Sequence, residues 1–121
     1  MDVFKPPPEI KKHDMDIAIE QVEEHEQIKH AHFELIDKET ISCSLIVVPN
    51  LSESDQENVG EMCVKSLADR MSENTRLKAP KDDYLGELYD YYDVRVMVGG
   101  DRGLDDIIVG SKHKHSDHLT W

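Results

Sequence analysis

Among side chains that can do chemistry, histidine is the most conspicuous in this sequence, with seven copies in 121 residues. Six of them fall into two groups, His25, His30 and His32, and then His113, His115 and His118, with His13 apart. In the second group the run His-Lys-His-Ser-Asp-His places three imidazoles and Asp117 within six residues. That donor set suits zinc or a similar divalent transition metal. His30 and His32 are two apart, so on a strand both project from one face and can reach one ion. Metal centres usually draw ligands from separated elements. A working centre therefore needs His30 and His32 to meet His113, His115 and His118. Without that meeting both groups are solvated polar segments, and the chain requires no cofactor.

Other constellations are weaker as chemistry and stronger as surface. Cys43 and Cys63 both fall inside apolar patterns, which predicts two buried, reduced thiols rather than nucleophiles. The loop Val98-Gly-Gly-Asp-Arg-Gly103 offers backbone donors after a strand. It lacks both the dinucleotide fingerprint and the P-loop ending, and Asp101, Asp105 and Asp106 crowd it with like charge, so it reads as a hairpin loop. Carboxylates cluster at Asp14, Asp16, Glu20, Glu23, Glu24 and Glu26, and again at Asp82, Asp83, Glu87, Asp90 and Asp93. Neither run contains Lys or Arg. Acid–base catalysis needs one carboxylate desolvated, and nothing in these runs supplies that, so no catalytic residue is assigned. Tyr84, Tyr89, Tyr91 and Tyr92 lie within nine residues, interleaved with acids. One reading puts two in the core and two at its margin. The other makes all four an interface patch, since tyrosine joins a rigid apolar ring to a polar tip.

The formal net charge is −12. A field of that sign repels phosphate backbones and disfavours direct nucleic-acid binding, while it favours basic protein partners or plain solubility. The longest unbroken apolar run is Leu45–Val48, far short of a bilayer span. The first ten residues lack an apolar stretch of signal-peptide type. A cytoplasmic placement is expected, or a virion if the source is viral.

These side chains must be held by a small set of elements. Residues 1–13 read as an extended arm: Pro6, Pro7 and Pro8 favour polyproline conformation, and Val3 and Phe4 would be its apolar anchor on a neighbouring chain. Residues 14–27 carry a helical stripe at Met15, Ala18, Ile19 and Val22. Ala31, Phe33 and Leu35 alternate with polar residues, a turn follows at Asp37–Thr40, and alternation resumes at Ile41, Cys43, Leu45 and Val47, predicting a hairpin. Residues 52–77 form the strongest helix pattern, opened by Ser52 with Asp55 or Ser54 with Glu57. Val59, Met62, Cys63, Ser66, Leu67, Arg70 and Met71 mark its inner face, and Gly60 would permit a close approach. A short amphipathic helix is predicted over 82–91, then strands at Val94–Val98 and Leu104–Val109, then a His-rich tail over 111–121.

The implied fold is α+β: a small antiparallel sheet of three to five strands, with the 52–77 helix on one face and the 14–27 helix on the other face or at an edge. Residues 14–110 make the single domain, between the arm and the tail. The function read from this pattern is a non-enzymatic, acidic interaction or assembly subunit of a multi-protein complex, such as a phage or viral structural component. Its contacts would come from Val3, Phe4, Tyr84, Tyr89, Tyr91 and Tyr92, its partners would be other protein chains in a homo-oligomer or larger complex, and no membrane is involved. One alternative is a metal-dependent enzyme or metal-binding module. Another is an acidic inhibitor or nucleic-acid mimic that binds a basic protein.

Overall fold

In a computed structural model of the chain, which describes residues 9–49, 51–81, 84–100, 107–113 and 119–121, the expected hairpin is the first sheet element. Strand β1 (Ile28–Ile36) pairs antiparallel with β2 (Thr40–Val47), with Phe33 opposite Cys43 and Ala31 opposite Leu45. The turn between them uses left-handed backbone at Asp37 (φ 49°) and Lys38 (φ 69°), as a tight hairpin of natural twist requires. The Asp37 carboxylate helps hold it by accepting from the Glu39 N–H.

Helix α1 (Lys12–Glu23) precedes the hairpin, and α2 (Glu53–Asn74) follows it. The capping signal at Ser52 operates: its hydroxyl accepts from the Asp55 N–H at 3.1 Å, satisfying one of the orphan donors of the first turn. Along α2, Val59, Cys63, Val64, Leu67, Ala68 and Met71 are buried, the stripe expected of a helix lying on a sheet. Strands β3 (Asp93–Gly99) and β4 (Ile108–Lys112) complete a four-stranded sheet of order β1-β2-β3-β4. Among the described residues, no helix is long and apolar enough to cross a membrane.

The fold is α+β, but the sheet is mixed rather than antiparallel. Its central pair, β2 and β3, runs parallel, with Ile41 beside Val94 and Cys43 beside Val96. The cause is α2: 22 residues of helix carry the chain roughly 33 Å, back to the end of the sheet where β2 began. The next strand must then run the same way as β2. A second feature concerns α1, which packs against α2 and edge strand β1: the edge position expected, on the side of the sheet that α2 covers. A third is the segment expected as a helix over 82–91, whose described part, from Tyr84 on, holds a single 3-10 turn at Glu87–Asp90. Gly86, at φ 114°, precedes it, a backbone that L residues rarely adopt.

The core between helices and sheet contains Phe33, Ile41, Leu45, Val94, Val96 and Val98 from the strands. The thiols expected to be reduced are instead paired: Cys43 of β2 and Cys63 of α2 form a disulfide across the helix–sheet interface, with Cα atoms 7.4 Å apart. Alternation and helical periodicity had placed both residues in the core, and they lie directly opposite one another. The C-terminal stretch also joins the fold. Strand β4 extends to Lys112, and Thr120 makes a two-bond antiparallel bridge with Ser111. The Trp121 indole lies between α2 and β4, where a Cβ at Gly60 would stand 2.5 Å from it and one at Gly110 2.8 Å.

Candidate interaction surface

Register assigns every outward side chain of the sheet a place. Both helices cover one face, which receives Ala31, Phe33, Leu35, Ile41, Cys43, Leu45, Val94, Val96 and Val98. The opposite face is read in rows across the strands. One row is Ile36, Thr40 and Asp93; the next is Glu34, Ser42, Arg95 and Ser111. A third is His32, Ser44, Met97 and Val109, and the fourth is His30, Ile46 and Gly99. Neither helix reaches this face. Val109 is 49% exposed, and Ile36 and Ile46 are each 40% exposed.

At the Ile46 end the face is hollowed. A depression of about 390 Å³ is lined by Ser44, Leu45, Ile46, Met97, Gly99, Gly100 and Ile107. Ile107 packs close over Gly99, while a Cβ on Gly100 would enter open space. Alternation had marked Ile46 and Val109 as parts of strands, without a sign that their side of the sheet would stay uncovered. Periodicity leaves the matter open, because two helices with one apolar stripe each can cover one face together or both faces separately.

Two of the four tyrosines expected at an interface lie in the core. Tyr89 is fully buried and donates from its hydroxyl to the Val64 carbonyl at 2.6 Å. Tyr92 is 3% exposed. Tyr84 and Tyr91 are half-buried. Burial pushes the Tyr89 phenol strongly upward and raises that of Tyr92, to which Glu9 adds its negative charge. The Tyr84 phenol is pushed up to about 12, by desolvation first and then by Asp90 and Glu87. Its hydroxyl donates to Asp90 at 3.3 Å. Packing thus holds Tyr89 and Tyr92, while Tyr84 and Tyr91 keep part of their rings at the margin of the core.

The histidines of the two groups stand apart where they are described. His30 and His32 are exposed on edge strand β1, whereas His113 follows β4 at the other edge. Three strand spacings separate them, roughly 14 Å. His30 approaches Glu23 at 3.8 Å, and the same carboxylate accepts from the Ala31 N–H, which blunts one exposed donor of the β1 edge. His25 accepts from the Gln27 N–H in the loop after α1. Among the described residues, no group of three or more His, Cys, Asp or Glu is arranged to hold a metal ion. His115 and His118 lie outside the described residues, as do Val3, Phe4 and residues 101–103 of the glycine loop.

Sequence reading missed Lys112. It is 5% exposed, with its ammonium donating to the carbonyls of Tyr89 at 2.7 Å and His113 at 3.1 Å. Its parity with Ile108 and Gly110 on the inner face of β4 was the available clue. No protein-family model, curated protein or solved structure matches this chain.

Proposed function

We propose that this chain is a protein-interaction subunit that docks another protein chain on the sheet face that neither helix covers. The observation that carries this reading is the apolar end of that face, where exposed Ile46 and Val109 flank half-buried Met97 beside the hollow at Gly100. Exposed apolar side chains gathered on one face, rimmed by polar residues, mark binding surfaces in soluble proteins. The rim here is His30, His32, Glu34, Arg95 and Ser111, all exposed. A net charge of −12 also favours protein over nucleic acid as partner, because phosphate is repelled.

A second reading has its own support. The helical side exposes Asp16, Glu20, Glu23, Glu24, Glu53, Asp55, Asp69 and Glu73, a dense acidic surface that suits a basic protein partner. A photo-crosslinking amino acid placed at Val109 and, separately, at Glu20 distinguishes the two. Adducts from position 109 with none from position 20 are expected. Adducts from position 20 alone would transfer the function to the acidic helices and overturn the sheet-face reading.

A further inference from the structure

We infer that the occupant of the uncovered sheet face is a second copy of this chain, the two sheets stacking about a two-fold axis that runs along the strands between β2 and β3. This presupposes the docking role proposed above for that face. Such an axis sets β2 against β3 of the partner and β1 against β4 of the partner, row on row, as an isologous interface requires.

Size complementarity supports this pairing. The outward residues of β2 are small where those of β3 are large, and large where those of β3 are small. Ser42 lies beside Arg95, Ser44 beside Met97, and Ile46 beside Gly99. Under the two-fold, each Met97 stands over Ser44 of the other copy, each Arg95 lies above the row of the buried Ser42, and each Ile46 faces the open space beside Gly100. Large against small at Ser44, with open space at Gly100, lets two sheets approach at the usual spacing of about 10 Å. On β1 and β4, Val109 meets the His32 ring, and Glu34 meets Ser111.

Charge agrees with shape. Glu34 and Arg95 share a row on either side of Ser42. Both are exposed, and neither has an ion-pair partner among the described residues. In the stack Arg95 sits over Ser42 of the other copy, one strand spacing of about 4.8 Å from that copy's Glu34. Both long side chains can close the remaining distance, and symmetry makes the pair twice. Among the described residues, the face carries Glu34 and Asp93 as acids against Arg95, whereas the chain has 26 acids in all. Face-to-face stacking therefore turns the acidic helices outward.

The size of the face sets the strength of the association. Four strands by about seven residues outline roughly 450 Å² per copy, below the roughly 800 Å² per partner of a standard stable interface. A reversible dimer with a dissociation constant above about 10 μM is expected.

Sedimentation velocity of the full chain, from micromolar to millimolar concentration at moderate salt, tests the inference. The wild type is expected to shift from monomer to dimer over that range. Arg95→Glu and Glu34→Arg should each weaken dimerisation at least tenfold, and the double swap E34R/R95E should recover most of it. A variant that merely misfolds cannot produce that recovery. A wild type that stays monomeric to 1 mM, or a double swap no better than either single, overturns the inference. Crosslinking from position 109 separates this failure from that of the docking role. Adducts at twice 13.9 kDa match the second copy; adducts with a different chain sink the self-pairing and leave the docking surface standing.

Discussion

A single indole occupies the space that two glycines leave. Trp121 fills the gap between Gly60 on α2 and Gly110 on β4, and a methyl group at either position would press into the ring at 2.5 Å or 2.8 Å. Gly60→Ala gains about 1 kcal/mol of helix propensity, but a clash with a wedged ring costs about 1–3 kcal/mol, so net loss is expected. Gly110→Ala has no helix gain to offset its clash and should cost more. Gly100→Ala, with nothing within 4 Å, should change stability by less than about 0.5 kcal/mol. Urea midpoints of the three variants check this ordering. Gly60 was legible in the sequence as a site of close packing, whereas its partner was not. A tryptophan next to a His-rich stretch gives no periodic sign that it returns to the core.

Tyr89 carries the clearest pH dependence. Burial raises its phenol pKa in the fold, while in the unfolded chain it ionises near pH 10. The unfolded state therefore loses its proton first. Tyr89 leaves stability untouched below pH 10 and erodes it as pH climbs above that value, by up to about 1.4 kcal/mol per unit. Tyr89→Phe should flatten that decline by about one proton. It should also cost about 1 kcal/mol at neutral pH, through loss of the bond to the Val64 carbonyl. Denaturant midpoints of both proteins between about pH 8 and pH 11 give the two slopes.

Elements are held to one another by a few specific links. Asp14 on α1 accepts from Arg70 Nε on α2 at 3.2 Å, with side chains only 8% and 17% exposed. Arg70 also reaches Glu73 at 3.2 Å, so each loss removes a charge-assisted bond rather than stranding a charge, and Asp14→Ala or Arg70→Ala should each cost about 1.5–3 kcal/mol. Because the residues act on each other, the double variant should cost less than the sum, by about 1 kcal/mol or more. The Cys43–Cys63 pairing ties β2 to α2 across 20 residues. Reduction should lower stability by about 2–4 kcal/mol, read from melts with and without reductant.

Local pattern made the elements legible: α1, the hairpin, α2 and its cap at Ser52 all carry their own periodicity or end signals. Direction was not legible. Strand alternation at Val94, Val96 and Val98 is the same whether β3 lies parallel or antiparallel to β2, and only the length of the α2 crossover decides it. The 82–91 segment failed as a helix because Gly86 holds a left-handed backbone with its Cα face against Ala68. Spacing of apolar residues alone cannot report that constraint. The uncovered face was likewise hidden, since it depends on both helices choosing the same side.

Among the described residues, charge divides into an acidic helical side and a sheet face where Glu34 and Asp93 stand against Arg95, and that division fixes how association must respond to salt. In a face-to-face dimer the two helical layers are roughly 30 Å apart. Two charges of −12 at that separation in water repel by about 20 kcal/mol before screening. A Debye length of about 30 Å at 0.01 M salt leaves about 7 kcal/mol of this, and one of about 8 Å at 0.15 M leaves about 0.5 kcal/mol. The exposed Glu34–Arg95 pairs weaken over the same range by at most about 1 kcal/mol each. Repulsion dominates, so self-association should strengthen by at least tenfold between those two salt concentrations. A basic protein bound to the acidic helices would show the opposite trend, because screening then removes attraction. Sedimentation equilibrium at the two salt concentrations measures the sign directly. A dimer that dissociates as salt rises would mean that the acidic surface lies inside the interface, against the face-to-face arrangement.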